Sequence, residues 1–295
     1  MRAHDILGSP PGVMLGLLIG RTAPPSFGYW LARRVARWMR RHRYEMFRTL
    51  RQNLSHVVPE ADDAALDDLA EEAVFHAGCS YFDMFHYRPK DLPKHDILTH
   101  SPEEWEAARR ILADERGTIV VGAHISNFDL AAQWFVIQGF EIQALSLPTP
   151  DRGDRVINTI RRQRGLIVTP ISVRTLRDAV RRLKQGGIVL TGVDRPVAHA
   201  EEPVMFFDAP ALLPRGHIRL ALQSNARILV AYCTRQPDGR YLMRMLPHIE
   251  MEVTDNRKHD IEHNTRRVLD LIEESIRSAP EQWLMLVPAW ETPTH

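Results

Sequence analysis

From Gly117 onward, the chain alternates between short apolar runs and amphipathic stretches, which limits the folds open to it. Four runs predict strands, at residues 117–123, 141–147, 166–171 and 187–193. Between them, apolar residues at helical spacing predict helices near 127–138, 152–164 and 174–185. Such alternation builds a mostly parallel central sheet flanked by helices on both faces. We therefore expect an α/β fold.

The rest of the chain extends this core at both ends. The carboxyl-terminal part begins with the apolar segment 204–207 and predicts strands at 227–234 and 240–246, helices at 215–225 and 256–278, and a last apolar run at 283–287. Proline breaks in residues 1–26 predict a weakly structured lead. We expect an amino-terminal helical segment over 27–100 that associates with the membrane, and an α/β core over 101–295. Residues 27–295 would form one structural domain.

Composition excludes several classes of protein. Apolar residues make up 44% of the 295, charged residues 25%, and the net charge is +1, so nothing indicates a nucleic-acid partner. Cys79 and Cys233 are the two cysteines, which argues against a disulfide framework or a cysteine metal site. The apolar stretch 12–20 is far shorter than the roughly 18 residues that span a bilayer.

An aromatic and arginine-rich helix follows this stretch. Phe27, Trp30 and Trp38 recur at helical spacing, and arginines such as Arg34 fill the positions between them. This pattern is typical of a helix in a membrane interface, attracted to anionic lipid. The alternative is a core-packed helix with a solvated basic face. Because a span is not predicted, attachment would be peripheral or monotopic.

The segment 124–131 carries the strongest sign of chemistry. His124 follows the apolar run 117–123, and Asp129 lies five residues later in the first turn of the next predicted helix. In open α/β sheets, active sites lie at this edge, outside the carboxyl ends of the strands. His124 could act as a general base, with Asp129 orienting its ring and stabilising the imidazolium. The alternative is structural: Ser126 or Asn127 caps the helix, and Asp129 favours its dipole.

Two further histidine motifs are weaker. His86 and Asp91 have the same spacing, but they lie in a proline-broken, charged stretch that we interpret as surface loop. His259, Glu262 and His263 match the order of a zinc-protease motif, but too little chain follows for the remaining ligand. We expect no metal site. The glycine-rich nucleotide motifs and the serine-hydrolase elbow are absent from the sequence.

A basic segment follows the histidine unit. Residues 151–184 hold ten arginines or lysines against three acids, and Arg161 and Arg164 close a predicted helix next to the site. Arginine forks bind phosphate or an acidic partner surface. An exposed helix can also be basic without any binding function.

These motifs together resemble the lysophospholipid acyltransferase superfamily. The branch that fits best is the bacterial lipid A biosynthesis (lauroyl/myristoyl) acyltransferases and the related phosphatidylinositol mannoside acyltransferases. Residues 124–129 match its catalytic His-x-x-x-x-Asp (HX4D) box. The resemblance covers residues 51 to 290, nearly the whole chain, and also rests on the segments 51–54, 58–60, 161–165, 192–195, 204–216 and 280–283.

The resemblance implies an enzyme of lipid or glycolipid biosynthesis. It would move a fatty acyl group from an acyl thioester, either acyl-coenzyme A or acyl carrier protein, to a hydroxyl of a lipid or glycolipid acceptor. Its place would be the cytoplasmic face of the bacterial plasma (inner) membrane. The catalytic residues would be His124 and Asp129, with no bound cofactor. The implied substrate-binding residues are Asn127, Arg161, Arg164, Asp194 and Arg195.

Two other functions remain open. A hydrolase of the thioesterase or lipase type could use the same histidine to activate water. A catalytically silent membrane-binding protein could keep the fold and lack the reaction.

Overall fold

A computed structural model describes residues 10–88, 96–197 and 202–290, with side chains from residue 15 onward. Its helices are α1 Pro10–Thr22, α2 Pro25–Arg41, α3 Glu45–Val57, α4 Asp63–His86, α5 Pro102–Leu112, α6 Phe128–Ile137, α7 Arg152–Gln163, α8 Val173–Lys184, α9 Gly216–Ser224 and α10 Arg257–Arg277. Its strands are β1 Leu98–His100, β2 Thr118–Gly122, β3 Ile142–Ser146, β4 Ile167–Pro170, β5 Ile188–Gly192, β6 Val204–Phe206, β7 Ala209–Ala211, β8 Arg227–Arg235 and β9 Tyr241–Met245. A 3₁₀ turn, Pro280–Gln282, follows α10.

The central sheet has seven strands in the order β1-β9-β8-β2-β5-β3-β4. Every pairing is parallel except that of β8 with β9. The α/β fold predicted from the sequence is therefore confirmed. Because β5 inserts between β2 and β3, strands that are distant in sequence end side by side.

Helices cover both faces of this sheet. Ile119 and Val121 on β2 face the core beneath α8, α9 and α10. Val120 between them faces the opposite core, beneath α5 and α6. Alternate residues of a strand point to opposite faces, so this strand is buried on both sides.

The amino-terminal helices form a layer of their own against the α/β core. Small residues of α2, among them Ala32 and Ala36, are buried on that helix's inner face. Arginines of α2, of α3 and of the turn between them pair with acids of α4: Arg33 with Glu72, Arg40 with Asp68 and Glu71, Arg43 with Asp67, and Arg51 with Asp63 and Asp67. The acids at the start of α4 thus neutralise part of the positive charge of these arginines.

Two sequence predictions need correction here. The lead over residues 1–26 was expected to be weakly structured, but α1 occupies Pro10–Thr22; residues 1–9 lie outside the described residues. The prolines read as breaks stand at helix starts, since proline is tolerated in a first turn. The strand β1 was missed because it holds only three residues. Among the described helices, none is long and apolar enough to cross a bilayer.

A candidate active site at the carboxyl edge of the sheet

The sheet brings His124 and Asp194 together. Gly122 ends β2 and lies opposite Gly192, which ends the neighbouring parallel strand β5. His124 and Asp194 each follow two residues after these glycines, so both lie at the carboxyl edge at the same level. This is the edge at which open α/β sheets place their ligands.

Two hydrogen bonds fix His124 on the Asp194 carboxylate. The ring Nδ1 lies 2.6 Å from Oδ1, and the His124 backbone N–H donates to Oδ2 at 2.8 Å. A carboxylate only accepts, so Nδ1 carries the proton of the neutral ring and Nε2 keeps its lone pair. The imidazole is 26% exposed, whereas Asp194 is fully buried.

The environment keeps Asp194 ionised. Burial by itself would raise the pKa of its carboxyl, because it penalises the charged form. The charge and hydrogen bonds of His124, together with a hydrogen bond from Trp283, outweigh that effect and hold the pKa below its ordinary value. An ionised carboxylate beside Nδ1 is suited to stabilising an imidazolium.

Asp129 does not take the position predicted for it. Arg161 donates from Nε to Oδ1 at 2.6 Å and from Nη2 to Oδ2 at 3.0 Å, so the Asp129 carboxylate is held by a guanidinium. The pKa of Arg161 is raised, because the attraction of Asp129 exceeds the effect of burial. The carboxylate that orients the His124 ring is Asp194. Asp194 is fully buried behind the histidine and does not line the cavity.

Asn127 is a helix cap. Its Oδ1 accepts the Leu130 N–H at 3.1 Å, and its Nδ2 donates to the Ser80 carbonyl at 2.9 Å. The side chain is buried, so both halves of the amide are already used. These contacts favour the capping alternative for this residue. Asn127 also lines the cavity described below, and its contact with substrate stays a prediction.

The two remaining arginines of the prediction differ in position. Arg164 caps the end of α7, is half-buried, and donates to Gln133 Oε1 at 3.0 Å. Burial lowers its pKa from the ordinary value, although the guanidinium stays charged. Arg195 lines the cavity beside His124, and none of the described residues forms a hydrogen bond or ion pair with its guanidinium. Arg195 is therefore the better placed of the two to bind an anion.

A cavity of about 350 Å³ opens at His124 and extends toward the interior of the domain. Its mouth carries polar groups, including Asp154, Arg161 and Arg195. Its inner wall is apolar and is formed by β2, β3, β4, β5 and α6, with the residues Val120, Ala131, Ala132, Phe135, Ala144, Leu166, Val168 and Leu190. An apolar space beside a histidine suits a hydrocarbon chain better than a polar ligand.

The carboxyl-terminal segment holds the histidine box in place. Leu284 N–H donates to the His124 carbonyl and Ser126 N–H donates to the Gln282 carbonyl, both at 2.7 Å. Trp283 is fully buried, and its indole N–H donates to Asp194 Oδ2 at 2.8 Å. The sequence marked residues 280–283 as a motif but gave Trp283 no role. The sequence feature that could have indicated a role was the presence of this tryptophan within the motif 280–283.

Neither His86 nor His263, which belong to the other histidine motifs, lines the cavity. His86 ends helix α4, not a surface loop, and its Nδ1 contacts the Gly20 carbonyl at 2.7 Å; Asp91 lies outside the described residues. His263 pairs with Glu252 at 2.9 Å. Within the described ranges, no group of three or more histidines, cysteines or acids could hold a metal ion.

Helix α2 presents its aromatic residues outward. Phe27, Trp30 and Trp38 are each about half exposed, at 45%, 54% and 50%. The Arg34 guanidinium lies 5.4 Å from the Trp30 ring centroid, and Arg34 is exposed as well. The exposed side chains Leu15 and Leu18 of α1 add to the apolar surface of this layer. The four residues predicted to contact membrane are therefore all accessible.

The chain is similar to known phosphatidylinositol mannoside acyltransferases. A phosphatidylinositol mannoside acyltransferase of Mycolicibacterium smegmatis is 24% identical over 249 residues, 82% of this chain and 78% of that protein. One from Mycobacterium tuberculosis (strain CDC 1551 / Oshkosh) is 26% identical over 184 residues, or 61% of this chain. That match spans 56% of the mycobacterial protein, so the chain covers just over half of that relative's length.

The chain also matches a solved structure at low sequence identity. It is the 1-acyl-sn-glycerophosphate acyltransferase PlsC from Thermotoga maritima, with 14% identity and a TM-score of 0.39 over 86% of this chain and 98% of that one. The family model of the bacterial lipid A biosynthesis acyltransferases matches residues 12–292. Because that match covers nearly the whole chain, the protein belongs to the bacterial lipid A biosynthesis acyltransferase family.

Proposed function

We propose that this protein transfers a fatty acyl group from an acyl thioester to a hydroxyl of a lipid or glycolipid, such as a lipid A precursor or a phosphatidylinositol mannoside. One observation carries the proposal. His124 has Nδ1 fixed on the buried Asp194, and its ring stands at the mouth of an apolar cavity. Family membership and the mannoside acyltransferase relatives support the same class of reaction.

In the proposed mechanism, His124 is the general base. Its Nε2 takes the proton of the acceptor hydroxyl as the oxygen attacks the thioester carbonyl. Asp194 keeps the ring in the required tautomer and stabilises the imidazolium, as the acid of a serine-protease triad does. The carbon–sulfur bond then breaks, and the sulfur leaves as a thiolate or takes the proton from Nε2. A thiol has a pKa of about 8.5, so this leaving group needs no metal and no bound cofactor.

Asp129 has a different part in this proposal. Its ion pair with Arg161 ties the first turn of α6 to α7, and these two helices border the cavity. We assign Asp129 to positioning the cavity wall beside His124, and not to proton transfer. Asp129 would therefore affect the site indirectly, through its ion pair with Arg161.

The inner cavity would hold the acyl chain of the donor. Each buried methylene group contributes about 0.8 kcal/mol, so an apolar cavity can bind a fatty chain without a polar contact. Alanines 131, 132 and 144 leave the space that larger side chains would fill. The donor thioester would then lie beside His124, with its coenzyme A or acyl carrier protein outside.

The cavity mouth would receive the acceptor. Of the two arginines at the mouth, Arg161 is paired with Asp129, whereas Arg195 has no intramolecular partner among the described residues. Arg195 would therefore bind a phosphate on the acceptor or the donor. Membrane contact would come from the outward aromatic side chains of α2 and from Arg34 at the surface of an anionic bilayer. We place the reaction at the cytoplasmic face of the bacterial plasma membrane, where acyl thioesters and lipid acceptors meet.

Thioester turnover with and without acceptor tests this function. The purified protein is incubated with a long-chain acyl-coenzyme A or acyl carrier protein, alone and with vesicles of total bacterial lipid, and products are identified by mass spectrometry. The proposal predicts a newly acylated lipid and turnover that depends on acceptor. Equal turnover in the absence of lipid would identify a hydrolase. Absence of turnover with either donor would favour the silent membrane-binding protein.

A further inference from the structure

We propose that Trp283 is a positioning residue of this site, which sets the charge that Asp194 presents to His124. The inference rests on the proposed function, because it assigns Trp283 to the same proton transfer. Trp283 lies far from the histidine box in sequence and does not line the cavity, so it acts through Asp194.

Three donors converge on the Asp194 carboxylate. Oδ1 faces the His124 ring at 2.6 Å, and Oδ2 accepts both the His124 backbone N–H and the Trp283 indole N–H, each at 2.8 Å. Such an arrangement prevents the carboxylate from rotating about its last bond. It also divides the negative charge between the catalytic ring and two neutral N–H groups.

The turn before Trp283 anchors the indole in the sheet. The Gln282 side chain accepts the Arg235 backbone N–H at 2.6 Å and donates to the Arg235 carbonyl at 2.9 Å. Ile125 and Trp283 form an antiparallel bridge, and Ser126 next to it has a φ of +49°. Non-glycine residues seldom adopt this left-handed conformation, which persists only where the surroundings enforce it. The end of β8, the histidine box and Asp194 are thus joined through residues 282–284.

The charge relationship has a consequence for the pH dependence of the reaction. If the indole N–H is removed, Oδ2 loses a donor and more of the negative charge faces the imidazole. A stronger negative charge beside Nδ1 favours the protonated ring. The acid limb of the kcat/KM profile should therefore move to higher pH, because more alkaline conditions are needed to obtain the base form. The other ionisable groups lining the cavity are Tyr81, Asp129, Asp154, Arg161, Arg195 and Tyr232, and the substitution leaves them in place.

Trp290 provides a matched control. It belongs to the same aromatic cluster, with its ring centroid 6.1 Å from that of Trp283. Its indole N–H also makes one hydrogen bond, to the Phe206 carbonyl at 3.0 Å, away from Asp194. Trp290→Phe therefore removes the same donor and a similar volume from the same cluster. Of the two indole hydrogen bonds, only the one from Trp283 reaches Asp194.

The experiment compares Trp283→Phe with Trp290→Phe in the full-length protein. Acyl transfer is measured across pH, and the His124 imidazole is titrated separately by NMR, which does not depend on activity. For Trp283→Phe we expect both the acid limb and the titration midpoint to rise by about 0.5–1 pH unit. For Trp290→Phe we expect thermal destabilisation and no movement of either. A tryptophan analogue with sulfur in place of the indole N–H keeps the ring volume if the phenyl ring disturbs folding.

The outcomes separate this inference from the proposed function. An unmoved midpoint in Trp283→Phe, or equal movement in both variants, overturns the positioning role even when transfer is active. A moved midpoint in a protein that acylates no lipid supports the role of Trp283 and refutes the transfer.

Discussion

The Asp129 carboxylate and the Arg161 guanidinium form a two-bond ion pair, with both acid oxygens engaged at 2.6 and 3.0 Å. The two acids near His124 therefore make different contacts. Asp129 joins α6 to α7 at the cavity wall, and Asp194 contacts the ring.

Gly192→Ala should slow transfer without unfolding the protein. A Cβ at this position would lie 3.1 Å from Cε1 of His124, so the ring would have to shift by a few tenths of an ångström. Displacement of a catalytic group on this scale costs about tenfold in kcat. Gly216→Ala is the control, because its Cβ would meet nothing within 4 Å. The measurement is the steady-state kcat of both variants. Equal rates would show that the added Cβ does not displace the His124 ring.

Arg195→Ala should raise the KM of the phosphate-bearing substrate. Loss of a hydrogen bond to a charged group corresponds to roughly 1.5–3 kcal/mol in kcat/KM. Arg195→Lys should recover part of this, because a point charge replaces a two-pronged donor. Arg164→Ala is the comparison: its guanidinium is held by Gln133, so it should change stability more than KM. A larger rise of KM in Arg164→Ala than in Arg195→Ala would indicate that the anion binds at the end of α7 instead.

Ala144→Phe should shorten the acyl chain that the enzyme prefers. Ala144 lies on β3 in the apolar inner wall of the cavity, where a phenyl ring would occupy the space of several methylene groups. Each methylene in an apolar pocket contributes about 1–3 kcal/mol to discrimination between substrates. We expect kcat/KM to fall for long-chain donors and to stay unchanged for a short one. A proportional loss for all chain lengths would mean that the chain binds elsewhere.

Trp30→Ala combined with Trp38→Ala should weaken binding to anionic vesicles. Both rings are about half exposed, and Arg34 beside Trp30 adds an attraction of about 1 kcal/mol that salt screens. Vesicle flotation at rising ionic strength measures both effects. Val253→Ala, at another exposed apolar side chain, should leave flotation unchanged. Binding that ignores both salt and the tryptophans would exclude α2 as the attachment.

The sequence located His124 because the signal is local. An apolar run followed by a polar residue and a capped helix indicates the carboxyl edge of a sheet, and the structure has β2 and α6 there. The same local pattern could not distinguish the two acids. Asp129 is near His124 in sequence, whereas Asp194 is near it because β5 lies next to β2. The order of strands in a parallel sheet is a property of the whole fold.

The role of Trp283 was beyond sequence reasoning for a related reason. Its contact with Asp194 spans 89 residues and is made by a side chain in an irregular segment, where no periodicity indicates direction. Helix α1 was missed because Pro10 and Pro25 were interpreted as breaks, although each is the first residue of a helix. Arg164 and Arg195 could not be ranked as phosphate ligands from the sequence, because only the cavity and the Gln133 contact distinguish them.

The most direct measurement compares the rate of acyl transfer per folded molecule in four proteins: wild type, His124→Ala, Asp194→Asn and Asp129→Asn. The account predicts that His124→Ala and Asp194→Asn each lose about 10²–10⁴-fold in kcat, because the base or its tautomer is lost. Asp129→Asn should lose less, and mainly thermal stability, since it weakens the pair with Arg161. Near wild-type transfer by His124→Ala, or a deeper loss in Asp129→Asn than in Asp194→Asn, would contradict the account.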